Sequence, residues 1–155
     1  MLVPQPAAPA YLGFLAALGP DIRDLALAAR AAVLEVAPEA RELAYDGYNA
    51  VALAFSFTGR YKEAFAHVAA YAGHVNLGFN RATALPDPAA RLHGTGKAIR
   101  HVRLTAPADL ADPAVRALLL AAVAAASRED GDTPEPRVTV KRTVGPKRRP
   151  APPAG

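Results

Sequence analysis

The chain has 155 residues, 52% of them hydrophobic, no cysteine and a formal net charge of +4. This length fits one domain, and the lack of cysteine excludes disulfides, thiolate metal sites and cysteine nucleophiles. No segment resembles the ~20 apolar residues of a membrane-spanning helix, and the first nine residues, with three prolines and no basic residue, do not resemble a secretory signal. We therefore expect a soluble cytoplasmic protein that does not insert into membranes.

The positive charge is concentrated near the C-terminus. Between Arg137 and Arg149 there are six cationic residues and no acidic one, and subtracting these six from +4 leaves about −2 for the rest of the chain. This distribution predicts that any nucleic-acid contact is made by the tail and not by the folded domain. Residues 129–155 are rich in proline, glycine and charge, which is typical of a disordered tail.

Three helices are predicted around a central region of strands. Residues 1–9 form a proline-rich leader that we expect to be loose, and a first helix over residues 10–18 ends at a Gly-Pro pair. A second helix over residues 20–36 begins with proline and repeats apolar residues every three to four positions. A third helix over residues 113–127 also begins with proline and has an apolar stripe.

The central region predicts about five strands. Val51, Leu53 and Phe55 alternate with small residues, which is the period of a strand with one buried face. Short turns favour antiparallel pairing with further strands at residues 42–46, 65–71, 74–79 and 98–104. The sequence therefore predicts an α+β fold over residues 10–128, in which helices from both chain ends pack on one face of an antiparallel sheet.

Strand alternation collects polar side chains on the opposite sheet face. If Val68, Val75 and Val102 are buried, three of the four histidines point away from the core, as does Phe65. The predicted ligand-binding residues on this face are His67, Tyr71, His74, Asn76, Asn80, His101 and Arg103. Imidazoles bind transition metals, and arginine, asparagine and tyrosine bind anions. These residues therefore predict a face that binds a small anionic ligand or a metal ion. The alternative is a solvated face that binds no ligand.

A glycine-containing turn extends the candidate site. Gly94, Gly96 and Lys97 precede the last strand, and their spacing does not match a P-loop. The two glycines and the cation are predicted to contact an anion from a tight turn. No carboxylate pair has a spacing specific to acid–base catalysis, and neither Ser56 nor Ser127 lies in a nucleophile elbow. The sequence favours a binding or accessory module over an enzyme, and it specifies no cofactor, metal or oligomeric state.

Acidic residues in the first half of the chain allow a second interpretation. They could form a loose cation-binding edge, or they could be solvated positions of helices and turns. These residues are Asp21, Asp24, Glu35, Glu39, Glu42 and Asp46.

Two runs of the sequence resemble the YdhG-like bacterial domain family, whose function is largely unknown. They are RYKEAFAHVAAYAGHVNLGFNRATALPDP over residues 60–88 and LHGTGKAIRHVRL over residues 92–104, and the likeness extends over residues 10–126. It implies a compact α+β domain in a bacterial cytoplasm. Because some members are described as frataxin-like, it also implies iron binding as an alternative function. The most distinctive runs match at His74, Asn76, Asn80, Gly94, Gly96, Lys97, Arg100 and His101, without an assigned role.

Overall fold

The computed structural model describes residues 6–47, 49–128 and 138–142. Three helices, α1 to α3, cover Pro9–Ala16, Pro20–Val36 and Pro113–Ala125. Six strands, β1 to β6, cover Arg41–Asp46, Val51–Ser56, Ala66–Ala70, Val75–Phe79, Arg100–Leu104 and Val138–Arg142. The described chain combines helices with an open, mostly antiparallel sheet, which is the α+β class that the sequence predicts.

Each helix begins at a proline, because the first helical residue has no intrahelical partner for its N–H and loses nothing when that N–H is missing. The Asp112 carboxylate caps α3 by accepting a hydrogen bond from the backbone N–H of Ala114 at 2.9 Å. In α2, Leu25, Ala29 and Val33 are buried at helical spacing and pack towards β3 and β4. None of the helices in the described residues is long and apolar enough to span a membrane.

The strands form one sheet in the order β5-β4-β3-β2-β1-β6. Strands β1 to β5 are an antiparallel meander in which neighbours along the chain are neighbours in the sheet. The connections from β1 to β4, at residues 47–50, 57–65 and 71–74, are too short for a crossover, which explains the order of these four strands. The longer segment at residues 80–99 still returns to the neighbouring position, so that β5 pairs antiparallel with β4. Strand β6 returns from the far end of the chain and pairs parallel to β1.

Strand β6 corrects the prediction of about five strands followed by a disordered tail over residues 129–155. Residues 138–142 of that tail form the sixth strand. Its Val-Thr-Val sequence has the β-branched side chains that favour extended structure, a local signal hidden by the proline-rich and charged composition of the surrounding segment. The rest of the predicted tail, residues 129–137 and 143–155, lies outside the described residues.

The predicted loose leader over residues 1–9 is also partly corrected. Ala7 and Ala8 pack against the core, and Pro9 is already the first residue of α1. The apolar surface of α1 and the sheet gives these small side chains a place to pack, which composition alone does not indicate. Residues 1–5 lie outside the described part of the chain.

The helices cover one face of the sheet, which we call the inner face. Val51, Leu53 and Phe55 of β2 are fully buried there with Val68 and Leu77 of β3 and β4. Burial of side chains of this size contributes about 1.5–3 kcal/mol each to folding. The opposite, outer face is the one on which the sequence predicts the polar residues.

One corner of the outer face is covered by the chain between β2 and β3. A 3₁₀ turn at Tyr61–Glu63 precedes Ala64, which packs on Leu43 and Ala54 in a small second apolar cluster. The next residue, Phe65, was predicted to point outwards, and this is wrong. It is buried and stacks on Phe57 with a centroid separation of 5.0 Å, because β3 and its strict alternation begin only at Ala66.

A buried ion pair joins α2 to the inner face. Arg30 donates two hydrogen bonds to the Glu42 carboxylate, from Nε at 2.5 Å and from Nη2 at 3.1 Å, and both side chains are at most 7% exposed. The neighbouring Tyr11 is buried too, and its burial and the Glu42 charge both raise the pKa of its hydroxyl. Glu42 was expected at the surface, either in a cation-binding edge or as a solvated acid, so its position in the core is a correction: the guanidinium compensates the cost of burying the charge.

Candidate functional site

The outer face has a row of residues that crosses all six strands. Strand register places these residues side by side, and we call them the central row: Lys141, Tyr45, Ala52, Ala69, Asn76 and Arg103. Its ends carry a lysine and an arginine, and its middle has only alanine side chains. The Oδ1 atom of Asn76 is buried and has no hydrogen-bond partner among the described residues. An asparagine amide presents both an acceptor and two donors, so this side chain has unused hydrogen-bonding capacity in the row.

A second row holds the histidines. His67, Gly78 and His101 are neighbours across β3, β4 and β5. The His67 imidazole lies directly over Gly78, since a Cβ atom on residue 78 would be only 2.0 Å from Nε2 of His67. Nδ1 of His67 donates to Oδ1 of Asn80 at 3.0 Å. Glycine is therefore needed here to make room for the ring, and the hydrogen bond to Asn80 fixes which ring nitrogen carries the proton.

His93 completes this group at the edge of the sheet. Its backbone exchanges two hydrogen bonds with His101, from the N–H of His93 to the His101 carbonyl at 2.8 Å and in the reverse direction at 2.9 Å. The centroids of the two imidazoles are 6.5 Å apart. We call His67, His93 and His101 the histidine cluster.

The turn between β3 and β4 contributes the fourth histidine. The backbone N–H of Tyr71 donates to the His74 carbonyl at 2.8 Å, which closes the hairpin. The Tyr71 and His74 rings stack with their centroids 4.5 Å apart and an interplanar angle of 11°. This stacked pair lies at the strand ends nearest to Arg103, whose charge affects His74.

The electrostatic environment of these histidines is positive. The pKa values of His67, His74 and His101 are all lowered, in each case chiefly because burial disfavours the charged imidazole. Repulsion adds to this effect: His101 lowers the pKa of His67, and Arg103 lowers those of both His74 and His101. The hydrogen bond to Asn80 acts in the opposite direction on His67. Neutral imidazoles next to fixed cations thus characterise the site.

Carboxylates are missing from the outward positions of the described strands. By register, these positions hold three fixed cations, two imidazoles and no aspartate or glutamate. The cations are Arg41, Arg103 and Lys141, and the imidazoles are His67 and His101. No carboxylate at these strand positions compensates the repulsion among the positive groups. A bound anion would reduce that repulsion through its negative charge.

The lowered pKa of His67 predicts a pH-dependent stability. The unfolded chain, with histidine near its ordinary pKa of 6.5, binds protons more readily than the folded protein. The free energy of unfolding should therefore be constant above that value and fall as the pH drops through it, until the pH reaches the lowered folded-state pKa. Urea unfolding from about pH 8 to about pH 5 in chloride buffer measures this. His67→Gln should make the profile less steep without flattening it, because the pKa values of His74 and His101 are lowered too. Stability that rises on acidification would contradict the assignment.

Not all predicted site residues converge. Gly94 lies beside the His101 imidazole, with a backbone φ of +120° that suits glycine. Gly96 instead lies against the Ile99 carbonyl, and Lys97 is in an exposed bend. Arg100 is in register with Phe79 on the inner face. The structure thus joins one residue of the glycine turn to the histidine cluster, and the ligand-binding role predicted for the whole turn stays a prediction.

A cleft of about 780 Å³ borders the outer face beyond the ends of β4 and β5. Its lining includes His74 and Arg103 together with Asp21 and Asp24 from the first turns of α2. The two carboxylates make this cleft mixed in charge, in contrast to the outer face itself.

The acidic residues considered for cation binding do not gather in one place. Glu42 is in the core with Arg30, Glu35 pairs with Arg116 at 3.5 Å, and Glu39 lies 3.9 Å from Arg128. Among the described residues, no group of three or more histidine, aspartate or glutamate side chains is arranged to hold a metal ion.

No family model, curated protein or solved structure matches this chain. The resemblance to the YdhG-like family and the frataxin-like alternative stay predictions, as does the cytoplasmic location. The geometry of the outer face is therefore the basis for any functional assignment.

Three residues of this face were not identified from the sequence: Tyr45, Tyr61 and Lys141. Strand alternation places Gly78 on the face, but it was given no role there. A glycine inside a strand is a known sign of close approach by another group, so Gly78 was recognisable in principle. Tyr45 and Tyr61, whose rings form an edge-on pair 5.2 Å apart, are brought together by the turn over the outer face. Lys141 reaches it only through β6, which the sequence analysis did not predict.

Proposed function

We propose that this protein is a binding module for a small anionic ligand, which it holds on the outer face between His67, His101 and Arg103. One observation carries the proposal: the outward positions of the described strands hold cations and imidazoles and no carboxylate. An exposed surface of this composition has a positive potential that attracts anions and excludes cations.

The hydrogen bond of His67 suggests how the ligand is held. Since Nδ1 donates to Asn80, the neutral ring has a lone pair on Nε2. Protonation converts Nε2 into a donor on the same sheet face as the donors of Arg103 and His101. Anion binding therefore favours uptake of a proton by His67, and the affinity should rise as the pH falls towards the ordinary histidine range. A phosphate or carboxylate group suits such charge-assisted hydrogen bonds.

Inorganic phosphate tests this function. We expect saturable shifts of the His67 and His101 ring signals in NMR titrations at constant ionic strength. Sulfate, whose charge is the same at about pH 6 and about pH 8, should bind more tightly at the lower pH. Arg103→Gln should weaken binding about tenfold, since a hydrogen bond to a charged group contributes about 1.5–3 kcal/mol.

The matched control is Arg116→Gln, which removes one positive charge from the exposed surface of α3. It should leave the phosphate affinity unchanged. Equal effects of the two substitutions, or identical ring shifts in chloride and phosphate, would show that the histidines respond only to ionic strength and would refute the proposal.

A further inference from the structure

The central row is longer than a small anion requires. Its six residues lie on six adjacent strands, and five strand spacings of about 4.8 Å give it a length of about 24 Å. In the middle of the row, the alanines at positions 52 and 69 have short side chains that project little from the sheet. A strip of this length, with a cation at each end, matches an extended polyanion better than a single phosphate group.

Aromatic rings accompany the cations. Tyr45 belongs to the row, and Tyr61 packs edge-on against it while remaining 51% exposed. Lys141 Nζ lies 6.0 Å from the centroid of the Tyr45 ring, which places a cation and a ring face together at one end. Towards the other end, the stacked Tyr71 and His74 rings lie near Arg103. A cation with aromatic rings near each end of the row provides charge partners for phosphates and stacking partners for bases.

We infer that the outer face binds single-stranded nucleic acid, which runs along the central row from Arg103 to Lys141. The inference deepens the proposed function and rests on it, because one backbone phosphate would occupy the anion position beside His67 and His101. The bases would stack on Tyr45 and on the Tyr71–His74 pair. A duplex hides its base faces inside the helix and does not offer them to these rings, so the aromatic residues favour a single strand.

The sequence that follows β6 is also basic. Strand β6 ends at Arg142, next to Lys141. Beyond it the sequence contains Lys147, Arg148 and Arg149 and no acidic residue up to the C-terminus. These cations add a sequence-independent attraction for the same kind of ligand, so the tail and the outer face favour one polyanion.

Fluorescence anisotropy with the full chain tests the inference. The probes are labelled RNA and DNA single strands of about 12 nucleotides and one sequence, within the site sizes of roughly 4–16 nucleotides known for sheet-based modules. A duplex of that sequence and heparin are the competitors, with salt titrated upwards from about 50 mM. We expect both single strands to bind, and tighter RNA binding would indicate a contact to the 2′-hydroxyl.

The variants separate stacking from charge. Tyr45→Leu should weaken binding about tenfold, whereas Tyr45→Phe, which keeps the ring, should stay within about twofold of the original affinity. Arg103→Gln should weaken binding and reduce the salt slope by about 1. Arg116→Gln, away from the outer face, is the control and should change neither the affinity nor the slope. Circular dichroism and thermal unfolding confirm that each variant is folded.

Three results would overturn the inference. One is an equal affinity of Tyr45→Leu and Tyr45→Phe. Another is duplex or heparin binding as tight as that of the single strands. The third is binding that is lost on replacing Lys147, Arg148 and Arg149 by glutamine but is unaffected by the outer-face variants. If no oligonucleotide binds while phosphate still shifts the ring signals of His67 and His101, this inference fails and the small-anion function stands. If phosphate produces no specific shift of those signals, the proposed function fails separately.

Discussion

Replacing Arg30 by methionine is expected to lower the free energy of unfolding by about 3–5 kcal/mol, a larger loss than any other single substitution proposed for this chain. The substitution leaves the Glu42 carboxylate in the core without its two guanidinium hydrogen bonds. Because Glu42 is only 3% exposed, water cannot replace those bonds at low cost. Urea unfolding at neutral pH measures the loss.

A double variant shows whether the unpaired charge is the cause. Arg30→Met combined with Glu42→Leu removes both charges and should recover most of the stability, since an apolar pair can replace a buried ion pair at little cost. The exposed pair of Arg116 and Glu35, 3.5 Å apart, provides the comparison. Arg116→Met should cost less than about 1 kcal/mol. A comparable loss from Arg30→Met would mean that the buried pair contributes no more than a surface one.

Gly78→Ala is expected to have the second largest effect, and it acts on both stability and binding. The new methyl group would lie 2.0 Å from Nε2 and 2.2 Å from Cε1 of His67. The ring must leave its place over β4 and give up its hydrogen bond to Asn80. Overpacking of this kind costs about 1–3 kcal/mol, and displacement of the imidazole should abolish the phosphate-induced shift of the His67 signal.

The hairpin glycine at position 73 is the matched control, because a Cβ atom there would meet nothing within 4 Å. Gly73→Ala should leave both the stability and the His67 signal nearly unchanged. Adding His67→Ala to Gly78→Ala removes the clashing ring and should restore stability without restoring binding. A Gly78→Ala protein with an unaltered His67 signal would show that the imidazole does not occupy the position described.

Charge shows why the outer face was hard to judge from sequence. Without the basic segment, the rest of the chain has a net charge of about −2, which led to the expectation that the folded domain does not attract polyanions. Several carboxylates lie away from the outward strand positions: Glu42 is in the core, and Glu35 and Glu39 pair with arginines. Glu63, in the turn over one corner of the outer face, pairs with Arg60 at 3.2 Å. A net charge sums over the whole surface, whereas a ligand responds to the potential of one face.

Regular alternation made much of this face predictable. Successive side chains of a strand point to opposite faces of the sheet, and residues 75–79 and 100–104 follow this period of two. The outward direction of Asn76, His101 and Arg103 could therefore be inferred from their apolar neighbours. The same rule fails for Phe65, which precedes the regular part of β3. Local periodicity therefore predicted side-chain direction wherever a strand was continuous, and the α+β class followed from where periods of two and of three to four residues occur.

What the amino-acid sequence established is local: the helices and their proline starts, the five strands of the meander and the direction in which their side chains point. These features depend on contacts between residues close in the chain. The pairing of β6 with β1, the burial of Glu42 against Arg30 and the meeting of Tyr45 with Lys141 join segments that are distant in sequence. Such contacts form because folding buries apolar surface and because buried charges and unpaired strand edges require partners. No local sequence pattern indicates which distant segment supplies the partner.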